Sequence, residues 1–270
     1  MLGEPGRTQY DLNFPLFGFP IRIHPLFWLI AIFMGGVGGG GSSTDSQALL
    51  LGLLSWVAAM FLGILVHELG HAVATRYYGF RPWIVLYGFG GVTCYSPAQR
   101  DAGKRAPGGW GEILISFAGP LAGFLFAGLL CAALYASGRP ITVDFGLEHR
   151  LGFKIGFDSM GMSLYFALFV YWFLLICIGW GLLNLLPIYP LDGGQIARNV
   201  CLMINRAKGV RWSLTISVLL ASLIATYSLL QFARSGAKDY GDLWIGVLFG
   251  MLARSSFETL RSYDFHRWDR

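Results

Sequence analysis

Four stretches of at least eighteen residues without a charged side chain, at 49–66, 113–136, 161–186 and 213–232, limit this chain to very few folds. A helix rises 1.5 Å per residue, so each stretch is long enough to cross roughly 30 Å of hydrocarbon. A soluble helical protein would need a polar face on such helices, and none of the four has one. Two shorter apolar blocks, 25–37 and 243–253, would serve as tilted or thin spans, with flanking residues completing them, or as re-entrant pieces. The expectation is an all-α polytopic membrane protein of about six transmembrane helices. Composition agrees: 13% of the 270 residues are charged, where a soluble domain carries about 25%.

The basic residues give this arrangement a direction. With six spans and both termini on one face, fifteen of the twenty Lys and Arg fall on that face. The other keeps Arg139, Arg150, Lys154, Arg234 and Lys238. The positive-inside rule makes the richer face cytoplasmic. The net charge of +5 is thereby accounted for by topology, and no recognition module suggests a nucleic-acid partner. Glu4, Arg7 and Asp11, with three prolines, precede the first apolar block, so no cleavable leader is expected. The four cysteines form no CxxC pair and read as small packing residues.

No internal repeat or separate soluble domain stands out, and residues 1–270 read as one transmembrane domain with a core at about 47–200. The glycine-rich run 35–44 reads as a flexible turn. Residues 139–159 are too few for a domain of their own. Residues 82–97, PWIVLYGFGGVTCYSP, are rich in β-branched and aromatic side chains and broken by Gly88, Gly90 and Gly91, which predicts a membrane-associated β-hairpin. Backbone of this kind is tolerated at membrane depth only inside protein or along a wet cavity. Residues 17–24 alternate and predict another short strand.

Chemistry enters at the end of the second span, in HELGH. His67 and His71 are four apart, share one helix face and can reach one metal ion, while Glu68 is placed to take a proton from a water. Ionisable groups inside an apolar span are costly and mark function. A catalytic zinc takes three protein ligands and one open position. The metzincin extension fails, because Ala74 and Tyr77 stand where glycine and a third histidine belong. Glu112 and Asp192 remain. Glu112 begins a span beside Trp110 and Gly111 and reads as interfacial. Asp192 lies in NLLPIYPLDGG, where Pro187 and Pro190 interrupt helical hydrogen bonding and Gly193 with Gly194 permits a sharp turn. Both motifs sit at ends of spans that run toward the cytoplasmic face, so they emerge at one depth. In SFAGPLAG, Gly119 and Gly123 read as a helix-packing pair. His24 reads as structural, His149 and His266 as surface residues.

HELGH in an apolar span, then FAGP, then NLLPIYPLDGG resembles the site-2 protease family of intramembrane zinc metalloproteases, in order and spacing, across residues 61–194. The resemblance implies a Zn²⁺ held by His67, His71 and Asp192, and Glu68 as the catalytic glutamate. It also implies that Asn184 holds or polarises the scissile carbonyl, and that the 82–97 loop offers a strand edge to a transmembrane protein substrate. The outer spans and IRIHPLFW are similar to shorter prokaryotic members, which implies a prokaryotic cell membrane. The PDZ and CBS domains of many relatives have no counterpart in this sequence. The competing class is a zinc-binding transporter or scaffold. A transporter needs ionisable residues through the bilayer depth, which the third, fifth and sixth spans lack. A scaffold has no need of Glu68.

Overall fold

The computed structural model describes residues 4–38, 46–88, 90–101, 103–104, 106–145, 153–236 and 240–268. His149, the side chain of His266 and most of the glycine-rich run lie outside them; Gly35 to Gly38 end a helix. The chain divides into two compact units, one built from residues 3–105 and 118–183, the other from 106–117 and 184–270.

The first unit begins with a hairpin of β1 (Leu12–Leu16) and β2 (Phe19–Ile23). Its two turn residues, Phe17 and Gly18, both have positive φ, the twist that tight hairpins prefer. Arg76 donates to both turn carbonyls and lies 3.5 Å over the Phe19 ring. Helices α1 (Pro25–Gly38) and α2 (Ser46–Tyr77) follow, then β3 (Trp83–Tyr87) and β4 (Gly90–Cys94). The predicted 82–97 hairpin is therefore present, as half of a four-stranded sheet in the order β1-β2-β3-β4. Strand β2 pairs with β3 in parallel across the α1–α2 connection, with Ile21 opposite Ile84. Ile21, Ile23, Ile84 and Leu86 pack with Phe27 of α1 and Ile64 of α2 in a closed apolar core.

This unit also holds most of α3 (Gly109–Ala136), a short hairpin of β5 (Ile141–Phe145) and β6 (Phe153–Phe157), and nearly all of α4 (Leu164–Asn184). A second core joins Ala59 of α2, Ala127 of α3, Val170 and Leu174 of α4 and Ile155 of β6. The second unit contains α5 (Asp192–Ile204), α6 (Gly209–Arg234) and α7 (Tyr240–Trp268). Helix α5 is amphipathic and has no counterpart among the apolar blocks, since its polar face breaks the run.

Each of the four long blocks becomes one helix. Helices α2, α3, α4 and α6 are long and apolar enough to cross a membrane. At 14 residues, α1 reaches only about 21 Å. The first half of α7 is apolar apart from Asp242 in its first turn, and the rest carries Arg254, Glu258, Arg261 and Asp264. The protein is a mostly helical integral membrane protein with a small sheet.

Candidate functional site

In the first unit the site is built on α2, which runs unbroken through HELGH. Helical periodicity puts His67 and His71 one above the other, with Nε2 to Nε2 at 3.1 Å and the rings 77° apart. Both are buried, as is Glu68 between them, each less than a tenth exposed.

Glycines make this burial possible. A Cβ at Gly70 would strike the Ala118 carbonyl of α3, so α2 and α3 meet at backbone distance. A Cβ at Gly119 would strike the His71 ring, and one at Gly123 would lie 3.0 Å from the Cys177 carbonyl of α4. The two glycines of SFAGPLAG thus do different work. Gly123 brings helices together, as the sequence suggested, while Gly119 makes room for an imidazole.

Strand β4 lies over Glu68. A Cβ at Gly91 would sit 2.5 Å from Glu68 Cγ, and one at Gly90 would sit 3.1 Å from the Trp180 ring. The Thr93 hydroxyl is 2.8 Å from Glu68 Oε2 and 3.0 Å from the Glu68 carbonyl oxygen. Read along the chain, these glycines only weaken a strand; in space they are where the strand clears the helix beneath it. Thr93 carried no sequence signal, because threonine is common in strands for reasons of packing alone.

In the second unit, buried Asn184 ends α4 and half-buried Asp192 opens α5. Between them Ile188 is fully buried, and the Tyr189–Pro190 peptide bond is cis. The Tyr189 N–H donates to Ser217 Oγ at 3.0 Å, and Ser256 Oγ donates to the Tyr189 carbonyl at 2.8 Å. The serine hydroxyls of α6 and α7 thereby satisfy loop backbone that lipid would leave unpaired. Gly193 and Gly194 have helical backbone rather than the turn expected of them. A Cβ at Gly193 would meet the Leu185 carbonyl, and one at Gly194 would lie 2.5 Å from the Ile188 backbone. Close approach explains both glycines.

The remaining candidates have other settings. His24 caps α1: its Nδ1 accepts from the Leu26 N–H, and its carbonyl accepts from the Phe27 N–H. Its own N–H donates to the Leu86 carbonyl. Glu112 sits half-buried in the first turn of α3. All four cysteines are free thiols, and burial pushes the Cys94 thiol up to about 11, so it stays protonated.

The donor set suits a zinc ion. Two imidazole nitrogens bound tetrahedrally at about 2.0–2.1 Å stand about 3.3 Å apart, close to the observed 3.1 Å. Gly119 leaves open the space that a larger residue would fill beside His71. Neutral imidazole is the form that binds metal.

Comparison with known proteins points to zinc as well. The model of peptidase family M50 matches residues 55–225, more than half of the chain. A zinc metalloprotease of Methanocaldococcus jannaschii is 26% identical over 188 residues, covering 69% of this chain and 44% of that protein. The stage IV sporulation protein FB of Bacillus subtilis is 26% identical over 179 residues, covering 65% and 46%. The chain spans a little under half the length of these two curated relatives. Among solved structures, the site-2 protease from Methanocaldococcus jannaschii shares the fold with a TM-score of 0.54 at 20% identity, over 93% of this chain and 95% of that one.

Proposed function

Because the chain belongs to peptidase family M50, we propose that it is an intramembrane zinc endopeptidase that cuts membrane-spanning proteins within or beside their spans. His67, His71 and Asp192 are its ligands, Glu68 its general base and Asn184 its donor to the scissile carbonyl. The observation that carries this reading is the pair of buried imidazoles, turned nitrogen to nitrogen, with a buried carboxylate on the same apolar helix.

Zinc bound there would supply Lewis acidity, polarising a carbonyl and bringing the pKa of a water toward 7. Glu68 takes a proton from the attacking water and hands it to the leaving amine. Asn184 donates from its amide to the carbonyl oxygen as negative charge develops there. Strand β4 ends the sheet, with β3 as its one partner among the described strands, and can pair with the substrate backbone. That pairing matters because a spanning helix hides its carbonyls and, once unwound, finds no hydrogen-bond partners in lipid.

The chain acts as one catalytic domain with its core at residues 47–200. Both termini face the cytoplasm of a prokaryotic cell, and the loop after α3 faces the opposite side. Single cysteines at Ser137 and Ser262 should therefore label from opposite faces with an impermeant reagent.

The activity is tested by comparing membrane proteomes of cells carrying wild type and Glu68→Gln. Spanning proteins that persist at full length only with Glu68→Gln are the substrates. An unchanged membrane proteome contradicts the proposal.

A further inference from the structure

We infer that strand β4 aims the catalytic base through Thr93, which makes Thr93 a positioning residue. The inference rests on the reading of Glu68 as general base and concerns what holds it in place.

In β4, Gly91 and Thr93 are two apart and therefore project to one face of the sheet. They stand opposite Leu86 and Ile84 of β3, both fully buried, and this face lies against α2. Gly91 contributes no side chain, so the Glu68 Cγ and Cδ atoms pass directly beneath the strand. Thr93 contributes a hydroxyl at the far end of that passage, 2.8 Å from Oε2. Its other acceptor is the Glu68 carbonyl oxygen at 3.0 Å. With one proton to donate, the hydroxyl serves one acceptor at a time, and the carboxylate oxygen is the nearer.

The consequence is geometric. A glutamate has three side-chain torsions, the last of them broad, and a hydrogen bond at one carboxylate oxygen fixes the plane of the group. Oε2 is occupied by Thr93, which leaves Oε1 to receive the proton from water. Threonine is stiff about its first torsion, so its hydroxyl goes where the backbone of β4 goes. The strand offered to substrate as a pairing edge is also the strand that orients the base. Gly91 and Thr93 work as one device, since a side chain at 91 would displace the carboxylate that the hydroxyl holds.

The competing explanation is that Thr93 merely suits a strand. Thr93→Val separates the two, because valine keeps the shape and strand preference and removes only the hydroxyl. The probe is a Leu/Ala-rich synthetic spanning helix interrupted by Asn-Gly, with a fluorophore and a quencher at its ends. Purified full-length wild type, Thr93→Val, Thr93→Ser and Glu68→Gln are assayed on it, with zinc content and Tm measured in parallel. Thr93→Val should lose roughly 10- to 100-fold in kcat, a part of what a general base contributes, with KM, zinc and Tm near wild type. Thr93→Ser should restore most of the rate. Adding Thr93→Val to Glu68→Gln should lower the residual rate no further, since the hydroxyl acts through the carboxylate. If Thr93→Val fails to accumulate, Thr93→Ala carries the same expectation. Wild-type kcat in the hydroxyl-less variant, a change in KM alone, or failure of serine to rescue overturns the inference. Full activity of Glu68→Gln would instead remove the proposed base itself.

Discussion

The two chemically loaded segments, HELGH in α2 and NLLPIYPLDGG between α4 and α5, obtain their geometry in opposite ways. In α2 the helix does the placing: a spacing of four residues sets His67 over His71, and neighbouring glycines clear the room. In the second segment no periodicity operates. A half-buried loop with two prolines is held by serines from helices far along the chain, Ser217 and Ser256. A local rule thus shapes the first segment, and long-range backbone satisfaction shapes the second. The two halves should fail differently when mutated.

The largest effect is expected where clearance in α3 meets the helix-placed half. Gly119→Leu puts a side chain where the His71 ring lies and should abolish zinc retention, as His71→Ala should. Metal analysis of purified protein checks this, and a variant that keeps full zinc would return Gly119 to plain helix packing. Next comes Asn184→Ala. It should lower turnover on the order of 10²-fold with zinc unchanged, as for loss of one oxyanion donor. A rise in KM alone would make Asn184 a binding residue.

How far the sequence carried the reading follows the same division. Each apolar block of eighteen residues or more became one helix, because lipid forces backbone groups to pair within the segment. The histidine pair was legible because a four-residue spacing has one meaning on a helix. The 82–97 hairpin was legible from its β-branched residues, although β1 was not, since the proline in LNFPL argues against a strand. Gly90, Gly91 and Gly119 were visible as glycines, but their purpose was not. It depends on Trp180, Glu68 and His71, which lie on other elements. Serines 217 and 256 look like ordinary helix residues until the loop they serve is in view.

A smaller effect tests the loop-placed half. Ser217→Ala leaves the Tyr189 N–H without that acceptor and should cost about 1–3 kcal/mol in unfolding free energy. Zinc binding should weaken with it, if Asp192 is the third ligand, while Ser222→Ala should do neither. Equal behaviour of the two serine variants would mean that the loop is not held as described.

The smallest effect lies in the sheet beside the helix-placed half. Buried Arg22 of β2 pairs with Asp11 and Glu4 at 2.9 Å each. The Thr8 hydroxyl first, and Arg22 with it, hold the Asp11 carboxyl down at about 2. A carboxylate lowered on folding adds stability above its ordinary value of 3.8, and that stability fades as pH falls toward 2. Tm should therefore drop more steeply between about pH 4 and pH 2 in wild type than in Asp11→Asn. Parallel curves would detach Asp11 from the stability of the sheet.

Metal stoichiometry decides whether His67, His71 and Asp192 are the zinc ligands proposed above. Wild type and the Asp192→Ala and Glu112→Ala variants, purified without chelators, would be assayed for zinc per chain. About one zinc is expected in wild type and in Glu112→Ala, and a clear loss in Asp192→Ala. A wild type without zinc would contradict this expectation, as would zinc that survives loss of Asp192 and departs with Glu112.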